Sequence, residues 1–235
     1  MTVQRTNKPT VSFVIPSLGA GGAERVVANL ANQLARDGYR VNIYTILDAR
    51  ETYEILPGVR HIHINVNNQN KALRIFNRFR MLRKYLREDE ATTIIAFDRY
   101  YGICAALGLG KKVIGSERND PYSNMPKVSI QKYFRDFLYR RVHCVVFQTD
   151  YAQQYFDAKI QAHSVIIPNP VSVEILPKRE KGKHEKTIYT ACRLTGQKNI
   201  PMALNAFAMF SKKYPEYQFV IYGDGPLKND IVPSC

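Results

Sequence analysis

The chain has 235 residues, 45% of them hydrophobic, with 34 Lys and Arg against 20 Asp and Glu for a formal charge of +14. That length and apolar content support a sizeable core and exclude a disordered chain; no apolar run reaches a membrane span, and MTVQRTNKPT lacks a secretory apolar region, so the expected location is the cytoplasm. Cys104, Cys144, Cys192 and Cys235 are scattered without a Cys-x-x-Cys pair, which argues against a zinc site or disulfide framework, while the cation excess predicts attraction to polyanions, anionic lipid surfaces or phosphorylated ligands.

The apolar run Val11–Ile15 predicts a strand that empties into a turn holding Gly19, Gly21 and Gly22. A helix follows directly, with Val27, Leu30, Ala31 and Leu34 at three- and four-residue spacing, Asp37 ending the pattern and Gly38 as the stop. This is the layout of a phosphate-handling loop, because unpaired N–H groups at a helix start attract anions and glycine lets backbone approach a ligand. The dinucleotide fingerprint is not met, since Glu24 stands where the third glycine belongs.

Strands are predicted next at Val41–Leu47 and Arg60–Val66. In the second, His61 and His63 share a face, but no further ligand lies nearby in sequence, so a polar strand face is favoured over zinc. Residues Lys71 to Arg87 form a helical pattern carrying Lys71, Arg74, Arg78, Arg80, Arg83, Lys84 and Arg87 without one acid. Its Ile75, Phe79, Leu82 and Leu86 fall on one face, and two readings stay open: a surface helix with its charge in water, or a basic face against an anionic membrane.

Further strands at Thr92–Phe97, Lys112–Gly115, Cys144–Gln148 and Ser164–Ile167 alternate with helical segments. The alternation predicts an α/β fold, a mainly parallel sheet with helices on both faces, and a ligand crevice beyond the strands' carboxyl ends. That crevice would gather Ser17–Gly22, Asp98 and the run Ser116-Glu117-Arg118-Asn119-Asp120-Pro121. Pro168 and Pro170, followed by the charged stretch Lys178–Lys186, place a domain boundary that separates 1–169 from 170–235. Beyond it come a strand at Thr187–Ala191, a helix at Ile200–Tyr214, a strand at Gln218–Tyr222 and the turn Gly223-Asp224-Gly225-Pro226, which together read as a second domain cut short.

Five segments carry a resemblance: Gly21-Gly22-Ala23-Glu24-Arg25-Val26, Ser116–Pro121, Ile167-Pro168-Asn169-Pro170-Val171, Arg193-Leu194 with Lys198-Asn199, and Gly223–Leu227. In order and spacing the chain resembles a GT-B-fold glycosyltransferase of the family 4 type. The resemblance implies a Rossmann-like N-terminal domain for the acceptor and the start of a Rossmann-like C-terminal domain for a nucleotide-sugar. It implies a retaining, hexosyltransferase-like enzyme of polysaccharide or glycan biosynthesis that moves a sugar onto a saccharide or lipid-linked saccharide. Arg193 and Lys198 match the catalytic diphosphate-binding pair; Gly21, Gly22, Gly223 and Gly225 match the other donor-binding positions. Glu117, Arg118, Asn119 and Asp98 are candidates for the acceptor side. Against this, Asp120 and Pro121 suit a helix start, and Asp98 suits a cap for a helix near Tyr100. No cofactor or metal is expected, because the nucleotide-sugar is a substrate and fixed cations serve the leaving phosphate.

The family's paired-glutamate motif beyond the Gly-Asp-Gly-Pro turn has no counterpart in these residues. The expectation is therefore an incomplete donor pocket and little activity of this chain alone, at a location in the cytoplasm and peripherally at the inner membrane face. The alternatives are a non-catalytic basic module for anionic membrane or nucleic acid, or an inactive fragment; nucleic acid is disfavoured by the absence of any of its motifs. Neither a Gly-x-Ser-x-Gly elbow nor a P-loop is present.

Overall fold

A computed structural model describes residues 8–47, 52–98, 100–122, 129–170 and 185–231. The chain forms two compact units, Met1–Ser172 and Val173–Cys235. Val171, most of the charged run 178–186 and the last four residues lie outside the described residues.

In the first unit the order is β1 (Thr10–Ile15), α1 (Gly22–Arg36), β2 (Arg40–Thr45), β3 (Val59–His63), α2 (Lys71–Glu88), β4 (Thr93–Ala96), α3 (Tyr101–Ala106), β5 (Lys112–Ser116), α4 (Ile130–Tyr139), β6 (Cys144–Phe147), α5 (Asp150–Gln154), α6 (Ala158–Gln161) and β7 (Ser164–Ile166). All seven strands pair in parallel, in the order β3-β2-β1-β4-β5-β6-β7. The strand period of two splits the core. Val11, Phe13 and Ile15 pack with Val26, Val27 and Ala31 of α1. Val14 and Ile94 pack on the other face with Leu82 and Leu86 of α2, Ile103 of α3 and Leu138 of α4. The predicted α/β class and helices on both faces are observed, and the strand order reverses between β1 and β4, the kind of point at whose carboxyl edge open α/β sheets bind ligands.

Two amphipathic helices depart from their predicted stripes. In α1 the buried residues are Val26, Val27, Ala28 and Ala31, while Leu30 is 37% exposed. Its end is the expected glycine stop: Gly38 has φ 85°, and the Tyr39 and Gly38 N–H groups donate to Leu34 O and Ala35 O at 2.9 and 3.0 Å. In α2 only Leu82 and Leu86 are buried; Ile75 is 49% exposed, and Leu73 and Phe76 are exposed beside it. The helix packs through its C-terminal half, where Arg83 Nη1 donates to the carbonyls of Ala105 and Leu107 at 2.9 Å each and so caps α3.

The second unit holds β8 (Thr187–Ala191), α7 (Ile200–Ser211), β9 (Gln218–Tyr222) and the short α8 (Lys228–Ile231), with β8 and β9 parallel. Leu194, Ile200 and Ile231 form its small core. The helix predicted to reach Tyr214 ends at Ser211. Among the described residues no helix is long and apolar enough to cross a membrane.

Candidate functional site

At the carboxyl edge of the first sheet, the loop after β5 is built around one carboxylate. Glu117 is 1% exposed. Its Oε1 accepts the backbone N–H groups of Arg118 and Asn119 at 3.1 Å each, and its Oε2 accepts the Tyr139 hydroxyl at 3.2 Å. Behind it lies Arg135 of α4, fully buried, with Nη1 4.0 Å from Glu117 Oε2 and bonds of 3.0 and 2.8 Å to Asp136 Oδ1. The Arg135 guanidinium sits over the rings of Tyr155 and Phe156 at 5.1 and 4.4 Å. Burial opposes its charge, but the Asp136 bond, with the Asp136 and Glu117 charges, outweighs burial and holds its pKa above the ordinary value. Glu117, an acceptor-side candidate from the sequence, thus fixes the loop from inside while also lining the cavity beside it.

What the loop displays is Arg118 and Asn119. Arg118 Nη1 donates to Asn169 Oδ1 at 2.8 Å, an oxygen that also accepts from Gln148 Nε2 at 3.2 Å, and the guanidinium stacks 4.4 Å over Phe97. Its Nε is buried without an acceptor, and burial pushes its pKa down to about 10. Among the described residues no carboxylate forms an ion pair with it. Arg118 and exposed Asn119 line a cavity of about 200 Å³ with Gln148, Thr149 and Tyr151. Asp120 accepts from Tyr122 N–H at 2.9 Å and closes a local turn; the helix predicted from Pro121 begins instead at Ile130, capped by Ser129.

Asp98 takes the capping role. Both its carboxylate oxygens lie 2.9 Å from Gly102 N–H, and burial raises its pKa against the pull of the Gly102, Tyr101 and Tyr100 N–H groups. A Cβ on Gly102 would stand 2.5 Å from Asp98 Oδ1, so this close cap requires glycine there. In the β1–α1 turn the two glycines differ. A Cβ on Gly21 would meet the Glu24 carboxylate at 2.1 Å, whereas nothing lies within 4 Å of one on Gly22. Tyr53 donates to Gly21 O at 3.0 Å and steadies the turn.

In the second unit, Arg193 and Lys198 are both exposed, one after β8 and one at the end of the 3-10 turn Gly196–Lys198 that precedes α7. Gly223 and Gly225 answer to the chain's own backbone. A Cβ on Gly223 would fall 1.9 Å from Cys192 O, and one on Gly225 2.4 Å from Leu194 O. That approach lets Leu194 N–H donate to Asp224 O at 2.9 Å and Leu227 N–H to Leu194 O at 3.2 Å, so these glycines are needed to seat one loop on the other. The loop so seated carries Arg193.

Sequence reasoning did not single out Arg135, Tyr139, Gln148 or Asn169 as site residues. For Arg135 a signal exists: it lies three and four residues before Leu138 and Tyr139, a cation on the buried stripe of α4. His61 Nε2 and His63 Nδ1 both meet Thr45 Oγ1, at 2.9 and 3.0 Å, and among the described residues no group of three or more His, Cys, Asp or Glu could hold a metal.

The chain is 27% identical over 229 residues to an uncharacterized glycosyltransferase of Haemophilus influenzae, covering 94% of this chain and 64% of that one. It is also 27% identical over 231 residues to a Campylobacter jejuni α-1,4-N-acetyl-D-galactosaminyltransferase named for a PP-undecaprenol-linked saccharide, covering 94% and 63%. It therefore spans somewhat less than two thirds of the length of these relatives. A Staphylococcus aureus TarM structure, in complex with fondaparinux, α-GlcNAc-glycerol and UDP, superposes with a TM-score of 0.72 at 10% identity, covering 96% of this chain and 74% of that one, and shows the shared fold. The sequence profile of Glycosyltransferase Family 4 matches residues 20–175, and the chain belongs to that family.

Proposed function

We propose that this chain serves a retaining transfer of a sugar from a nucleotide-sugar to a saccharide or lipid-linked saccharide. The observation that carries the reading is Arg118: a half-buried cation with an unpaired Nε, beside exposed Asn119 and Gln148, on the carboxyl edge of the family-matched unit. Hydroxyl and phosphate oxygens are the acceptors such a group lacks. For the donor, the family resemblance supports Arg193 and Lys198. Negative charge grows on the departing diphosphate as the anomeric bond breaks, and fixed cations stabilise it without a metal. The UDP in the TarM complex and the PP-undecaprenol in the Campylobacter enzyme's name support this donor and acceptor chemistry. The proposed location is the cytoplasm, peripheral to the inner membrane face.

The test has two arms. Calorimetric titration of UDP, GDP and ADP into the chain should find one that binds, with Arg193→Ala and Lys198→Ala each weakening it about tenfold or more and Arg118→Ala leaving it unchanged. A radiolabel transfer assay on the protein at the length of its relatives should lose kcat in the first two variants, acceptor KM in the third, and nothing on EDTA addition. Normal diphosphate affinity in both Arg193→Ala and Lys198→Ala would overturn the donor assignment.

A further inference from the structure

The amino edge of the first sheet, opposite the edge that carries Arg118, holds a cavity of about 590 Å³. Thr10 and Arg40 open β1 and β2, Gly58 precedes β3, and Asp89 ends α2, so the cavity lies where strands begin and a helix stops. By the strand period of two, Thr10 and Ser12 share a face with Val14, and Asn42 shares it with Tyr44; the register sets Asn42 beside Arg60 and Tyr44 beside Ile62. Farther along, that face is core, with Val14 packed among Leu82 and Leu86. At its amino end the same face of two interior strands is polar.

Part of this polarity anchors the helix. Asp89 Oδ2 accepts the Ser12 and Tyr44 hydroxyls at 2.6 and 2.8 Å, and its Oδ1 accepts from Asn42 Nδ2 at 3.0 Å and from Ala91 N–H at 2.9 Å. Burial and the Asp89 bond push the Tyr44 pKa up, so its hydroxyl stays a donor and the wall is fixed. The anchor does not account for the other groups. Thr10 is 4% exposed, and its Oγ1 is buried without a partner. Asn42 also donates to Ser12 Oγ at 3.3 Å, while no donor among the described residues reaches its oxygen. Arg60 is exposed and forms no ion pair among the described residues. Glu88 stands 4.0 Å from Lys84 in an exposed pair, and the Tyr85 ring, 6.3 Å from that of Tyr44, is 38% exposed. A buried hydroxyl with no partner costs stability that the anchor does not offset.

We infer that this cavity is a second saccharide site, which holds a neutral, hydroxyl-rich pyranose of a glycan chain at the edge of the sheet away from Arg118. Neighbouring sugar hydroxyls donate and accept together, and the cavity offers both: Thr10 does either, Asn42 Oδ1 and Glu88 accept, and Arg60 donates. The apolar C–H side of a pyranose then has the Tyr85 ring to lie against. Charge selects the class. Glu88, Asp89 and Glu90 oppose a phosphate or sulfate, Arg40 and Arg60 oppose an ammonium group, and a neutral polyol meets neither penalty. The volume falls within the range of about 300–1,000 Å³ common to small-ligand pockets. This site goes beyond the transfer reading and stands whether or not transfer occurs at the Arg118 edge.

The probes are maltotriose, chitotriose and mannotriose as neutral glycans, with glucose 1-phosphate as the anionic comparison. Saturation-transfer NMR should show millimolar or tighter binding of at least one trisaccharide. Thr10→Val should weaken it about fivefold yet leave the melting temperature unchanged or higher, since the lost hydroxyl has no partner. Tyr85→Ala should weaken it about tenfold, and Tyr85→Trp should retain it. The chain contains no tryptophan, so the emission of Tyr85→Trp should also change as the trisaccharide is added. No binding of any trisaccharide at millimolar concentration would overturn the inference. So would binding that Arg118→Ala abolishes and Thr10→Val leaves intact, or tighter Thr10-dependent binding of glucose 1-phosphate. A Thr10→Val chain with full trisaccharide affinity would reduce the cavity to the anchor of α2. Titrations of UDP, GDP and ADP should match wild type in Thr10→Val and Tyr85→Ala, and trisaccharide affinity should match wild type in Arg193→Ala, so the two readings fail separately.

Discussion

The two ligand-edge loops of this chain are held in opposite ways. In the first unit the loop displaying Arg118 is fixed by buried charge: Glu117 gathers two backbone N–H groups and rests against Arg135. In the second the loop displaying Arg193 is fixed by steric contact, with Gly223 and Gly225 laid against the carbonyls of Cys192 and Leu194. Both arrangements present a cation at the end of a parallel strand. A charge cluster anchors strongly but depends on every partner being present. A backbone contact needs only the absence of two Cβ atoms, which is why its trace in sequence is a glycine pair and the trace of the other is one misplaced arginine.

The largest expected break comes from Arg135→Ala. Removing the guanidinium leaves the Glu117 and Asp136 carboxylates without their buried partner, and the unit should lose about 3–5 kcal/mol. Urea unfolding checks the value. Unchanged stability would mean that the loop stands without its charge. Next is Gly223→Ala. The added Cβ must displace the Cys192 carbonyl, so this loop should shift at a cost on the order of 3 kcal/mol. Thermal unfolding should place that loss in the second unit, and a wild-type melting profile would show the loops to be less tightly seated than their distances imply.

How much of this was legible in the sequence follows from the same contrast. The sheet, its parallel sense and its carboxyl-edge loops were readable, because apolar runs alternate with helical periods over the whole first unit. Arg118 and Glu117 were both readable as candidates of this loop, but the buried enclosure of the Glu117 carboxylate was not. Sequence shows a carboxylate in a loop and not the arginine and tyrosine of the following helix that enclose it. The α2 stripe failed for a related reason. Period alone places Ile75 with Leu82, yet only the half of α2 lying over the sheet has something to pack against.

A smaller effect is expected at Asp98, a third side-chain anchor on the first unit's edge. Burial raises its folded pKa above the ordinary carboxylate value, so its ionised form is penalised by folding. Its contribution is then fullest at acid pH and is lost as pH rises through the folded pKa. Asp98→Asn keeps an oxygen for the Gly102 N–H and carries no charge, so at neutral pH it should be as stable as the wild type or better by under about 1 kcal/mol. That advantage should shrink as pH falls toward the ordinary aspartate range. Denaturant unfolding across pH measures it, and an advantage that grows on acidification would reverse the sign assigned to this carboxylate.

The smallest change in stability is expected at a glycine whose missing Cβ the chain itself does not use. Gly21 resembles Gly223 and Gly225 in having its Cβ space occupied, although here the occupant is the flexible Glu24 side chain, which can swing away. Gly22 is different: its Cβ would enter open space at the start of α1, where alanine is the better helix former. Gly22→Ala should therefore leave stability within about 0.5 kcal/mol of the wild type or raise it slightly. If the bare backbone at Gly22 meets the donor's phosphates, the same substitution should still weaken binding of whichever of UDP, GDP and ADP the chain takes, with Gly21→Ala affecting it less. Paired titrations and melts on these two variants isolate the point. A Gly22→Ala chain that is as stable as the wild type and binds the diphosphate as tightly would leave the open face of this turn without a phosphate role, and the charge-anchored loop at Arg118 would then be the first unit's ligand wall by itself.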